Sequence, residues 1–107
     1  NTTAGGNTAD GYQALYNNTT GGNNTASGEN ALYSNKANRG SIAIGYSAMY
    51  YADDRTSGRA TYNTAIGYEA LRGSTTAANN TGQNNTSVGY QTLISNTSGD
   101  ENSAFGS

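Results

Sequence analysis

Two acidic pairs, Asp53-Asp54 and Asp100-Glu101, are the closest this chain comes to a chemical constellation. Neighbouring carboxylates in a loop can converge on a hard cation such as Ca²⁺, whereas in a strand they point to opposite sides. The glycine-and-aspartate nonapeptide of calcium-binding β-solenoids is missing, so no metal site is assigned. The 107 residues include neither His nor Cys, which removes the commonest general base, the thiol nucleophile and the disulfide. No phosphate-cradling glycine loop followed by Lys occurs. With five basic and seven acidic residues the chain lacks the basic stripe that nucleic acid demands. No apolar run approaches the length of a spanning helix. The expectation is no catalysis, no cofactor, no nucleic acid and no membrane insertion of this segment.

What remains is recognition chemistry. The stretch "YYADDRTSGRATY", Tyr50 to Tyr62, gathers Tyr, Asp and Arg, a mixture typical of binding surfaces. Tyr51, Asp53, Asp54, Arg55, Arg59 and Tyr62 are its candidate contacts. The plainer reading is a solvated loop that the fold tolerates. The elements that hold this stretch decide between the two.

Those elements are repeats. "GYQALY" at Gly11 returns as "GYSAMY" at Gly45, "GYEALR" at Gly67 and "GYQTLI" at Gly89. Aligned on the glycine of "N-T-A-x-G", the units fall at Gly11, Gly28, Gly45, Gly67, Gly89 and Gly106, with spacings of 17, 17, 22, 22 and 17 residues. Two places before the glycine stands a small residue: Ala9, Ala26, Ala43, Ala65, Ser87 or Ala104. Four places after it stands Leu15, Leu32, Met49, Leu71 or Leu93. Columns of this kind form when equivalent positions stack directly on one another.

The composition points the same way. Only eleven residues are Leu, Ile, Val, Met or Phe, too few for a globular core. A net charge of −2 is also too small for charge-driven disorder. A unit this short, rich in Gly and Asn, cannot hold a helical hairpin. The units therefore predict an all-β fold, a parallel β-solenoid of 17- to 22-residue coils. Each coil reads as two short strands, "NTAIG" and "YEAL", joined at the glycine. The return path of Asn, Thr, Ser and Gly suits tight turns. Rungs of consecutive coils pair in parallel at about 4.8 Å. The absence of Pro leaves every N–H free for that pairing. Residues 1–107 read as one solenoid segment that begins and ends inside a repeat.

Alternation along a strand places the small column and Leu15, Leu32, Met49, Leu71 and Leu93 inside the coil. The opposite face then carries Ile42, Ile44, Ile66, Val88 and Phe105, an apolar stripe that turns polar at Asp10 and Ser27. Facing water, such a stripe marks an interface; the reverse assignment buries it and exposes the Ala face. Both five-residue insertions follow the Leu column, so they are expected to bulge side by side from one corner. Eight Asn-X-Ser/Thr triplets, at Asn1, Asn17, Asn18, Asn23, Asn79, Asn84, Asn85 and Asn96, match the glycosylation pattern.

"N-T-A-I-G" resembles the "S-V-A-I-G" repeat of trimeric autotransporter adhesin heads, the YadA-like head. Similar "NTAIGYxAL" arrays occur in phage tail fibres and large bacterial surface proteins. The resemblance covers nearly the whole chain. It implies a left-handed parallel β-roll with three chains around one axis, and it places Ile44, Ile66, Val88 and Phe105 at that axis. It also implies an extracellular, cell-surface or virion fibre that adheres to a host surface protein or glycan. The coils are longer than the usual adhesin repeat, and Asp10 and Ser27 stand where an aliphatic is expected. Two other functions fit the residues: a self-assembling extracellular filament without a receptor, and an ice-binding solenoid using Thr8, Thr25, Thr64 and Thr86.

Overall fold

The computed structural model of the protein describes residues 4–107. Six strands of three residues form one parallel sheet in sequential order: β1 (Thr8–Asp10), β2 (Thr25–Ser27), β3 (Ile42–Ile44), β4 (Thr64–Ile66), β5 (Thr86–Val88) and β6 (Ser103–Phe105). Each strand belongs to one repeat, which is the arrangement of a parallel β-solenoid. The register matches column to column: Ala9 pairs with Ala26, Ala26 with Ala43, Ala43 with Ala65, Ala65 with Ser87, and Ser87 with Ala104.

The second strand expected in each coil is absent among the described residues. "YEAL" and its equivalents fold as consecutive tight turns. In the second coil Ala31 donates to the Gly28 carbonyl, Tyr33 to Asn30 and Asn35 to Leu32. The third residue of the first two turns lies at positive φ, as a type II turn requires: Asn30 at 61° and Leu32 at 52°. Every complete coil repeats this pair, as Gln13 and Leu15, Ser47 and Met49, Glu69 and Leu71, and Gln91 and Leu93. A non-glycine residue in this region costs on the order of 1–3 kcal/mol and persists only where the surroundings enforce it. Two forces enforce it here. The N–H groups of Leu15, Leu32, Met49 and Leu71 donate to the carbonyls of Ala31, Ala48, Ala70 and Thr92 in the following coil. The same four side chains are buried in the interior.

That interior is thin. Ala26, Ala43 and Ala65 of the sheet face Ala31, Ala48 and Ala70 of the turns within one cluster, with the Leu column beside them. Where one wall becomes polar, the other does too: the Ser87 hydroxyl meets the Thr92 hydroxyl and the Thr92 carbonyl, at 2.8 Å from the latter. Leu93 is half-buried.

The return path, expected as tight turns, is held by Asn side chains, most of them buried. Asn7 Oδ1 accepts the backbone N–H of Asn24, and Asn24 Oδ1 accepts that of Ser41, each at 2.9 Å. Asn63 and Asn85 repeat this toward Asn85 and Asn102. The other end of each amide crosses the coil: Nδ2 of Asn7, Asn24, Asn63 and Asn85 donates to the carbonyls of Gly21, Asn38, Gly82 and Gly99. Ser41 fills this column in the third coil and pairs with the Thr61 hydroxyl at 2.6 Å. A second file, Asn18 and Asn35, is equally buried, with Asn35 Nδ2 donating to Asn18 Oδ1. Among the glycosylation triplets, Asn18 and Asn85 are therefore enclosed with their amide nitrogens committed. The triplet at Asn1 lies outside the described residues.

This packing can be tested at a glycine and at an asparagine. Gly67 sits at φ 132°, and a Cβ there would collide with the Gly89 carbonyl of the next coil. Gly67→Ala should lower stability by about 1–3 kcal/mol, measured as a lower thermal midpoint by circular dichroism. Asn24→Ala leaves the Ser41 N–H unpaired inside the coil and takes one of two side-chain donors from the Asn38 carbonyl, which keeps Asn35 Nδ2, at about 1–3 kcal/mol for the unpaired N–H. The exposed Asn79→Ala should leave the midpoint almost unchanged, and the contrast between the two Asn variants is the readout.

Candidate functional site

Within the first insertion Arg55 to Gly58 are exposed, but its start is anchored in the coil. Ala52 and Asp53 are buried, and the Asp53 side chain retains only 2% of its exposure. Its carboxylate takes two bonds from Arg55, Nε to Oδ1 at 2.9 Å and Nη2 to Oδ2 at 2.6 Å, and also accepts the Arg55 backbone N–H at 3.2 Å. Arg59 Nη2 lies 3.3 Å from Oδ2 and donates at 2.9 Å to the Thr81 carbonyl in the following coil. Asn38 binds the segment from the preceding coil: its Nδ2 donates to the Asp53 carbonyl and its Oδ1 accepts the Arg59 N–H. Asp53 thus joins three coils, and the segment is a clasp. Of the residues expected to protrude, Asp53 faces inward because an unpaired carboxylate could not be enclosed, whereas one held by two guanidinium groups can. Arg55 and Tyr62 are exposed; Tyr51, Asp54 and Arg59 are intermediate.

The second insertion supports the first. Asn80, beyond the single turn of 3₁₀ helix at Ala77–Asn79, donates through Nδ2 to the carbonyls of Tyr51 and Ser74. The two insertions do lie side by side, tied by this side chain. Three places past the Leu column the shorter coils carry Asn18, Asn35 and Asn96, but the longer ones carry Ala52 and Ser74. Between the walls there is a cavity of about 30 Å³ lined by Asn35, Asn38, Ser41, Met49, Asp53 and Asn63 among others. That is room for about two water molecules. Among the described residues no group of three or more carboxylates gathers into a cation site.

The sheet face points to solvent. Ile42, Ile44 and Ile66 keep nearly two-fifths of their exposure and Phe105 keeps 73%, with Val88 intermediate. They form one band across β3, β4, β5 and β6, in register. The reverse assignment, with the stripe inside and the Ala face out, is excluded by the buried Ala26, Ala43 and Ala65.

Two tyrosine ladders run along the turns. Tyr46, Tyr68 and Tyr90, one place past the glycine, stack at 4.9 and 5.4 Å. Tyr16, Tyr33 and Tyr50, five places past it, stack at 5.4 and 4.8 Å, and Tyr51 closes that ladder edge-on at 4.6 Å. Burial, together with neighbouring Tyr33, Tyr51 and Tyr46, raises the Tyr50 hydroxyl above the usual phenol value. The second ladder is not among the columns that the sequence pattern singled out, although Tyr16, Tyr33, Tyr50, Arg72 and Ile94 stand in the same alignment.

No family model, no curated protein and no solved structure matches the chain.

The clasp has a pH signature. Burial alone would raise the Asp53 carboxyl, but the hydrogen bonds and charge of Arg55 and the charge of Arg59 hold it below the ordinary carboxylate value. A depressed folded-state value means that the ionised clasp stabilises the fold above the unfolded value of about 3.9 and loses that contribution as pH falls through the folded value. Asp53→Asn should therefore lower the thermal midpoint at pH near 7, and the difference from the parent should shrink below pH about 3.9. Melting curves across that range test it.

Proposed function

We propose that the chain is a structural and adhesive segment of an extracellular fibre, with three copies joined around a common axis through the sheet face. The observation that carries this reading is the solvent-facing band of Ile42, Ile44, Ile66, Val88 and Phe105 on the parallel sheet. Isolated apolar residues are ordinary on a surface, but a contiguous file in register is the mark of an interface. The resemblance of "N-T-A-I-G" to the adhesin-head repeat supplies the number three, the left-handed coil and the adhesive role. Its aliphatic positions fall on this same file. A surface protein or glycan of a host is the partner this reading implies, engaged through many weak contacts along the fibre.

The ice-binding alternative draws on Thr8, Thr25, Thr64 and Thr86, which share the exposed sheet face. It is the weaker reading. Ile42 interrupts that file, and the neighbouring file is apolar rather than Thr. A filament without a receptor would use the same band.

Ile66→Asp tests the association. The substitution would bring like charges from every copy together around the shared axis, in a dry contact, at a cost of several kcal/mol. The expected result is a fall in molar mass by light scattering, with a lower thermal midpoint. Thr64→Ser, on the same strand, should change neither. Unchanged mass and midpoint for Ile66→Asp would remove the band from any interface.

A further inference from the structure

Seven of the nine tyrosines lie in ring contacts along the turns. Tyr16, Tyr33 and Tyr50 are stacked face to face with successive planes 2° and 9° apart, and the centroids of Tyr33 and Tyr50 are 4.8 Å apart. That separation matches the spacing of paired parallel strands, about 4.8 Å. The backbone holds it. The Asn17 N–H donates to the Tyr33 carbonyl at 3.2 Å, and the Ser34 N–H to the Tyr50 carbonyl at 3.0 Å. Asn17 Nδ2 adds a second bond to the Tyr33 carbonyl at 2.9 Å. Water reaches the file: Tyr16 is exposed, and Tyr33 and Tyr50 are half-buried.

The composition leaves these rings as the principal target of one-electron oxidants. The chain has no Cys, Trp or His, and its one methionine, Met49, is buried. We propose that the file is a site of oxidative cross-linking, at which an oxidant of the haem-peroxidase class joins Tyr33 to Tyr50 as dityrosine. Each phenol gives one electron to the oxidant and its hydroxyl proton to water. The unpaired electron of the phenoxyl radical is shared with the carbons ortho to the oxygen. Two neighbouring radicals pair their electrons in a C–C bond between ortho carbons. Each of those carbons then releases its proton to water, and each oxygen regains one, which restores both rings. Two tyrosines and one hydrogen peroxide thus give one dityrosine and two waters.

The stacking favours this bond. It grows along p lobes that point out of each ring plane, so rings lying face to face start in the coupling orientation. Tyr51, edge-on to Tyr50 at 68°, does not. The backbone bonds hold the partners together before any radical forms. Each therefore meets the other at a high effective concentration, and coupling within the chain outruns coupling between chains. Tyr33 and Tyr50 stand 17 residues apart in consecutive coils. The link fastens those coils and constrains the unfolded chain as a disulfide does, in a protein without cysteine. It does not depend on the fibre reading.

The test treats the intact protein with a haem peroxidase and limiting hydrogen peroxide. Dityrosine fluorescence and a mass lower by two hydrogens are expected. Cleavage after Lys36 and Arg39 separates the two rings, so mass spectrometry should find one linked peptide pair carrying Tyr33 and Tyr50. The treated protein should still run as a single chain on a denaturing gel and melt at a higher temperature. Tyr33→Phe keeps a stacked ring without a phenol, and should lose the linked pair while circular dichroism stays unchanged. Tyr12→Phe should retain the link, because Tyr12, although 70% exposed, stacks on no other ring. In urea the preference for Tyr33 and Tyr50 should vanish. Links through Tyr12 or Tyr62 as abundant as this one, covalent dimers in its place, or the same preference in urea would overturn the site. So would an absence of dityrosine under conditions that couple free tyrosine. Should Tyr33→Phe fail to fold, the peptide map of the parent, folded and in urea, decides alone.

Discussion

The rest of the structure depends on one hydrogen bond, from a backbone N–H to the Asn side chain one coil earlier. A coil whose interior is little more than two Ala walls and a Leu column cannot hide unpaired backbone groups behind bulk. The strands are only three residues long, so the β-ladder satisfies few of them. Asn supplies what the ladder lacks. Its amide reproduces a peptide group, with one acceptor and one donor arm. In Asn24 the acceptor arm runs along the axis to Ser41 and the donor arm crosses the coil to the Asn38 carbonyl. A single side chain thus fixes both the stacking of coils and the closure of each one. Asp would lose the donor, Gln would add a methylene the space does not provide, and Ser41 performs only part of the task.

The two long coils are substitutions for that device. Ala52 and Ser74 stand where the shorter coils have a second Asn, and the cross-coil bonds of that position vanish with it. The extra residues provide others. Asp53, neutralised by Arg55 and Arg59, occupies the interior, and Asn80 reaches back to Tyr51. Enclosing a carboxylate demands partners on most of its lone pairs, and the concentration of Arg in that insertion meets the demand. The charged composition that suggested a recognition loop is explained by what it must neutralise.

The columns were legible in the sequence, because stacking makes each position answer to its neighbour above and below. Ala26, Ala43 and Ala65 could be aligned and set opposite Ile44 and Ile66 by strand alternation alone. Three features were hidden for physical reasons. Leu32 and its equivalents adopt a backbone region that Leu normally avoids, so "YEAL" read as a strand; only the coil-to-coil bonds and the burial of the side chain hold the turn in place. Asn18, Asn24 and Asn35 are fully enclosed, whereas Asn is mostly an exposed residue. Asp53 looked outward because its two Arg partners, two and six residues on, gain their meaning only when the chain folds back.

The surface features separate along the axis. The first two rungs present Asp10 and Ser27 on the sheet face, and the last four present Ile44, Ile66, Val88 and Phe105. The tyrosine column divides at the same level: it is interrupted by Glu29 in the second coil and continuous from Tyr46 to Tyr90. An apolar contact gains most where neighbouring rungs are all apolar, since each excludes water from the next. Association would therefore be tightest from the third rung onward. The first two rungs, polar at Asp10 and Ser27, would pack least in such a contact, and a repeat that reproduced itself without variation would carry no such gradient along the axis.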